Sequence, residues 1–395
     1  MDMKLTTVLA IIVTVLTHHH HLSLTVADHT SGLNNASSSV GFSLPLVASL
    51  EPSSDRHTVR RSIDGFLNFH HHRLGGGAPA VSNVTAGVAI PPLEITPELY
   101  VDVDTGSGQR HVVLKYDATG SLTWLQCDPC TPKSRQLGPL FAPRLSPTYR
   151  DVEATSQICS MLFEPDPATG QCTFRMVKTG ISVKGVVARD RLAAVGGSVI
   201  PDYMFGCVHD TRVFLNGGKY AGVFVNSRAP YSFASQGVAR GVTRFSYCIS
   251  REANHRGFLR FGTDVPLHNP AAGYRSTGIL PVLKEHETKY YVNLIGVSLG
   301  TQRLDMIRPE MFRRREDDGG QGEGEEEAAL VVSPEQLFLI MEDELHAGRI
   351  VACLAMAPGP RTVVGALQQV DTRFVFDLKD NQLYFAPESC TRDTA

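Results

Sequence analysis

Asp117-Ala118-Thr119-Gly120-Ser121-Leu122-Thr123-Trp124-Leu125-Gln126-Cys127 is the stretch that decides how this chain is read. The residues leading into it, His111-Val112-Val113-Leu114-Lys115-Tyr116, form a mostly apolar run of strand-forming types. An Asp at the end of such a strand, followed by small turn-forming residues, is placed to point its carboxylate into a cleft. A single carboxylate cannot act as base and acid at once. Where two carboxylates stand side by side, their proximity splits their pKa values, so that one can serve as base and the other as acid. The question for the rest of the chain is whether a second strand ends in the same way.

The chain has 395 residues and 42% hydrophobic content, enough for one large two-lobed core or two domains of ordinary size. Its formal net charge is -3, and the basic run Arg313-Arg314-Arg315 is answered at once by Glu316-Asp317-Asp318 and by Glu323 to Glu327. No basic face remains for nucleic acid. At the start, Lys4 precedes an apolar run from Thr6 to Leu16 and the small residues Thr25-Val26-Ala27, so residues 1–27 read as a secretory signal peptide. No later segment offers about 20 uninterrupted apolar residues, so no membrane span is expected. The expected location is secreted and extracellular, with the vacuole or cell wall as further destinations on the same route.

In that compartment eight cysteines read as disulfide partners. Cys127-Asp128-Pro129-Cys130 has zinc-like spacing, but no second pair with histidines follows it, so no metal is expected. The runs His18 to His21 and His70 to His72 fall in discarded or solvated sequence. The sequons at Asn35 and Asn83 fit the secretory route. No cofactor is implied.

Residues 28–88 are rich in Ser, Gly, Pro and His and read as a propeptide or linker, with an ordered piece at Val40 to Val47 and a possible helix over Arg56 to Phe69. From Leu99 onward short apolar or alternating runs alternate with turns, as in Val186-Val187-Ala188, Tyr203-Met204-Phe205, Phe258-Leu259-Arg260-Phe261 and Tyr290 to Leu294. That is the spacing of an all-β protein. The clearest helix pattern is Pro334 to Ala347, where Leu337, Ile340, Met341 and Leu345 share one face.

Taken in order, these blocks resemble the pepsin-like aspartic proteases, and among them the cysteine-rich plant branch typified by nepenthesin. The matching stretches are Asp117 to Cys130, Pro139 to Pro143, Phe205-Gly206-Cys207, Pro230 to Gln236, Phe245 to Cys248, Gly257 to Gly262, Tyr290 to Leu294, and Cys353 through Val363-Val364-Gly365 to Cys390. The resemblance implies a mainly β, bilobal pepsin-like fold with an N-terminal lobe at 89–247 and a C-terminal lobe at 248–395. It implies one catalytic Asp from each lobe, with Asp117 the first, and a peptide or protein ligand in the cleft of a monomer. It also implies a disulfide between Cys248 and Cys390, and leaves Cys353 as the odd residue.

The departures bear on function. Aligned on Trp124, the loop keeps Asp117 but has Ala118, Thr119 and Gly120 where the family has Thr or Ser, then Gly, then Ser. The second strand, Ala328 to Val332, runs into Ser333-Pro334-Glu335-Gln336 with no Asp at its end, and twenty residues, Ser333 to Ala352, separate it from Cys353. The second lobe therefore reads as truncated, without its catalytic loop. The flap stretch Phe174 to Gly180 contains no Tyr, and the triplet under the first loop is Val223-Phe224-Val225, with Val in place of a Gly. Asp104-Thr105-Gly106-Ser107 matches the catalytic tetrapeptide but is expected to be a turn, and Asp317 and Asp318 are expected to be solvated. Three readings stay open: an active aspartic endopeptidase, or a catalytically inactive homologue that keeps the cleft for binding, as in the xylanase-inhibitor relatives. A truncated product with little stable structure is a third.

Overall fold

The computed structural model describes residues 22–27, 41–49, 98–105, 112–136, 138–178, 181–193, 199–213, 220–250, 256–266, 273–281, 288–299, 302–304, 327–342, 350–354 and 362–392. The expected helix over Arg56 to Phe69, Asp317 and Asp318 lie outside these residues.

The chain is mainly β. The strands of its first part are β1 (Leu22–Ala27), β2 (Gly41–Ser49), β3 (Glu98–Thr105), β4 (Val112–Asp117), β5 (Trp124–Gln126), β6 (Arg150–Asp151), β7 (Glu164–Asp166), β8 (Gln171–Lys178), β9 (Ile181–Ala193), β10 (Val199–Val213) and β11 (Gly222–Val225). The second part contributes β12 (Arg244–Cys248), β13 (Arg256–Gly262), β14 (Arg275–Gly278), β15 (Leu294–Leu299), β16 (Gln302–Arg303), β17 (Glu327–Val332), β18 (Phe338–Glu342), β19 (Ile350–Leu354), β20 (Thr372–Asp377) and β21 (Gln382–Pro387).

The main sheet runs β14-β21-β20-β12-β13-β2-β3-β4-β11-β5-β10-β9-β8-β7. Its middle is closely packed. All four residues of β11 are buried, because it lies parallel to β4 on one side and antiparallel to β5 on the other. Gly222 makes that approach possible: a Cβ there would lie 2.0 Å from the Trp124 carbonyl oxygen. Beside β5, the Cys127–Cys207 disulfide ties the start of one loop to β10, and Cys159–Cys172 closes the turn before β8.

β2 lies between β3 and β13, and among the described residues no other strand pairing joins the two halves of this sheet. The sequence alternates Phe42, Leu44 and Leu46 with polar or small residues, and all three are buried. Phe42 stacks on Phe261 at 4.9 Å and meets Phe233 edge-on at 5.8 Å, while Phe233 also contacts Phe224 at 4.7 Å. An aromatic seam thus runs through the junction. On the far side Cys248 is bonded to Cys390 with Cα atoms 5.3 Å apart, and Arg244 pairs with the buried Asp377 at 2.5 Å.

A separate sheet has the order β16-β15-β1-β17. The end of the expected leader, Leu22–Ala27, is therefore the strand between β15 and β17. The helix expected over Pro334 to Ala347 is corrected: one short helix, Pro334–Leu337, gives way to β18, which pairs antiparallel with β19. The run Phe338-Leu339-Ile340-Met341 fits a pairing partner as well as a helical face, and the available partner wins. Asp104 and Thr105 of the expected turn end β3, where they pair with Ala193 and Leu192, and Gly106 and Ser107 lie outside the described residues. Among the described residues no helix is long and apolar enough to cross a membrane.

Candidate active site

Asp117 ends β4 and is half-buried. Three donors converge on its Oδ1: the Thr119 amide at 2.7 Å, the Thr119 hydroxyl at 2.8 Å and the Gly120 amide at 3.0 Å. Thr119 therefore supplies the hydroxyl that the alignment shows displaced, and the carboxylate closes its own turn. The backbone carbonyl of Asp117 accepts from the Asn226 amide at 2.9 Å, fixing the loop against the end of β11.

Residues to which the sequence reading gives no role at the site complete the brace. Thr123 Oγ1 accepts from the Val225 amide at 2.9 Å and from the Tyr203 hydroxyl at 2.8 Å. Ser227 donates its hydroxyl to the Gly120 carbonyl at 2.7 Å, and its own carbonyl accepts from Ser232 at 2.5 Å and from Tyr290 at 3.2 Å. Their sequence signal is their place within or beside the stretches Asp117 to Cys130, Tyr203 to Phe205, Pro230 to Gln236 and Tyr290 to Leu294. Beneath them Tyr116, Tyr247 and Tyr290 are grouped, and burial pushes all three phenols well above the usual range. Tyr247 donates to Gln369 at 2.6 Å, and Gln369 in turn donates to the Val364 carbonyl at 2.8 Å.

The counterpart strand end is built differently. β17 passes into Ser333, whose amide donates to Gln336 Oε1 at 2.6 Å. Gln336 also donates to the Val370 carbonyl at 2.6 Å, and Gln368 donates back to the Gln336 carbonyl at 3.0 Å. Two glutamines thus knot this strand end onto the 3-10 turn Ala366–Gln369. Among the described residues no carboxylate shares a hydrogen bond with Asp117, and no group of three or more His, Cys, Asp or Glu is placed to hold a metal.

The flap position is the β8/β9 hairpin, in which Lys178 pairs with Ile181 across the turn. Val177 near its tip is 64% exposed. Cys130 is a free, buried thiol, pushed up to about 11 by burial and by the Asp210 charge. Cys353 lies on β19 opposite Leu339.

The family described as Xylanase inhibitor N-terminal matches residues 99–263, and Xylanase inhibitor C-terminal matches residues 323–387, together more than half of the chain. Aspartyl protease 25 of Oryza sativa subsp. japonica is 27% identical over 388 residues, covering 78% of this chain and 86% of that protein. Aspartic proteinase nepenthesin-1 of Nepenthes gracilis is 28% identical over 245 residues, covering 62% of this chain, and the match spans 54% of nepenthesin-1. Among solved structures, basic 7S globulin from soybean superposes with a TM-score of 0.51 at 16% identity, over 76% of this chain and 96% of the globulin. The crystal structure of edgp gives 0.54 at 15% identity, over 76% of this chain and 95% of edgp. These two have the pepsin-like fold, and the likeness extends that fold to this chain. With the strand-end Asp117 loop, the order of its blocks and these matches, the chain belongs to the pepsin-like plant aspartic protease family, which has the xylanase inhibitors among its relatives.

Proposed function

We propose that this protein is a secreted, catalytically inactive member of its family that holds an extended peptide or protein segment in the cleft between two lobes, at 89–247 and 248–395, without cutting it. The observation that carries this reading is the end of β17, where Ser333, Gln336 and Gln368 are knotted together and where, among the described residues, no carboxylate shares a hydrogen bond with Asp117. The Asp117 carboxylate has meanwhile become the acceptor that closes its own turn. Loss of general acid–base help alone costs about 10²–10⁴-fold in rate. Loss of the partner that shares the proton and orients the water should cost more. The missing flap Tyr supports the same conclusion.

The protein acts as a monomer, enters the secretory route through a leader ending at Ala27, and needs no cofactor. Three disulfides favour that route. The competing reading, an active aspartic endopeptidase, draws on Asp117, which keeps the strand-end position and a full set of donors. The deciding experiment is digestion of a denatured protein at acid pH by the purified chain, with and without pepstatin. No pepstatin-sensitive cleavage is expected. Cleavage that Asp117→Ala abolishes would overturn the proposal.

A further inference from the structure

We propose that the gap between β15 and β17 is a strand-acceptor site, which takes an extended peptide with apolar residues at alternate positions once the chain's own Leu22–Ala27 is gone. This rests on the reading that the leader ends at Ala27. The site lies in a sheet other than the one that carries Asp117.

The seat is defined by two registers. Along β17, Leu22, Leu24 and Val26 face Val332, Leu330 and Ala328, and all three of these β17 residues are buried. Along β15, Leu24 faces Val297 and Val26 faces Leu294, after a bulge at Thr25/Val26. The intervening Ser23 and Thr25 are opposite Val331, which is 43% exposed, and Ala329. The segment Leu-Ser-Leu-Thr-Val-Ala alternates in phase with this pattern, so each apolar residue falls in register with a buried neighbour.

Removing the strand leaves β15 paired to the two-residue β16, and β17 paired to nothing in this sheet. A lone two-stranded hairpin is marginal in water. Both flanking strands would present unpaired N–H and C=O groups, spaced by about 9–10 Å, two strand separations. That arrangement accepts one further strand on both of its edges. Recognition of an extended segment by backbone pairing, with specificity from alternate side chains, is a general mode of peptide binding. The last register position adds a preference: Ala27 is directly opposite Glu327, so a ligand with Lys there gains an opposite-charge cross-strand pair.

The test uses the unprocessed full chain, produced without secretion so that Leu22–Ala27 is retained, its Leu24→Asp variant that disfavours this strand, and a labelled, end-capped Leu-Ser-Leu-Thr-Val-Ala peptide. The variant should melt at a lower temperature than the parent, bind the peptide and regain melting temperature on binding. The parent should not bind. The same residues ordered Leu-Leu-Val-Ala-Ser-Thr should bind at least about tenfold more weakly, and Lys in the last position about two- to fivefold more tightly. Leu24→Ala replaces Leu24→Asp if the charged variant does not fold, with the same pattern expected. A folded variant that binds no peptide, or one that binds both orders equally, would overturn the proposal. Sequencing the amino terminus of the secreted chain checks the leader reading by itself: a start at Asp28 supports it, and a start before Leu22 refutes it whatever the peptide does.

Discussion

The Cγ2 of Val225 lies 2.7 Å from the point where a Cβ on Gly120 would sit. Two departures from the family pattern, Val for Gly under the loop and Gly for Ser within it, are therefore one exchange across a single contact.

The exchange predicts coupling. Gly120→Ala would drive its methyl into Val225 and to within 2.9 Å of Asp117 Oδ2, at a cost of about 1–3 kcal/mol in urea unfolding. Val225→Ala removes buried methyl groups and is destabilising by itself. Combined, the two should fall short of the sum of their separate effects by about 1 kcal/mol. Additive behaviour would mean that the two residues do not share this space.

The second prediction concerns β2. Phe42 is 3% exposed, and its ring contacts Phe261 and Phe233 at the junction of the sheet. Phe42→Ala should lower stability by about 3–5 kcal/mol. A residue in a loosely attached linker would cost almost nothing, so a loss below about 0.5 kcal/mol would remove β2 from the fold as described.

How much of this was legible in the sequence depends on how local each cause is. Val112 to Tyr116 announced β4 and the place of Asp117, and the missing acid after Val332 could be read directly, because both depend on a few adjacent residues. Phe338 to Glu342 misled, since Leu337, Ile340 and Met341 satisfy a helical face and the winning partner, Ile350–Leu354, is remote. Leu22–Ala27 carried a leader signal and a strand pattern at once, and nothing within six residues could reveal its pairing with β15 and β17. The compensation between Gly120 and Val225 spans more than a hundred residues and exists only in three dimensions.

The third prediction follows from the longest closed loop. Cys248–Cys390 bridges 142 residues, for which the chain-entropy model gives about 5 kcal/mol and typical removals cost about 2–5 kcal/mol. Replacing both by Ser should lower the urea midpoint accordingly. It should affect the second half most, because β12 and the 3-10 turn at Cys390–Arg392 are the elements joined. An unchanged midpoint, or free thiols at both positions in peptide mapping of the parent, would contradict the bond.

The last prediction is alkaline. Burial raises the phenols of Tyr116, Tyr203, Tyr247 and Tyr290 above the usual range, and Tyr149 is raised by burial and then by its hydrogen bond to Asp151. The native state thus holds these protons more tightly than the unfolded chain, in which a Tyr titrates near about 10. Above that pH the unfolded state releases protons that the native state retains, so stability is intact below about 10 and falls as the pH rises further. Phenolate absorbance followed together with circular dichroism should show these five tyrosines ionising in step with unfolding, after the accessible ones have titrated. If every tyrosine ionises while the β signal is unchanged, these tyrosines, Tyr116 beside Asp117 among them, are open to water and not packed as described.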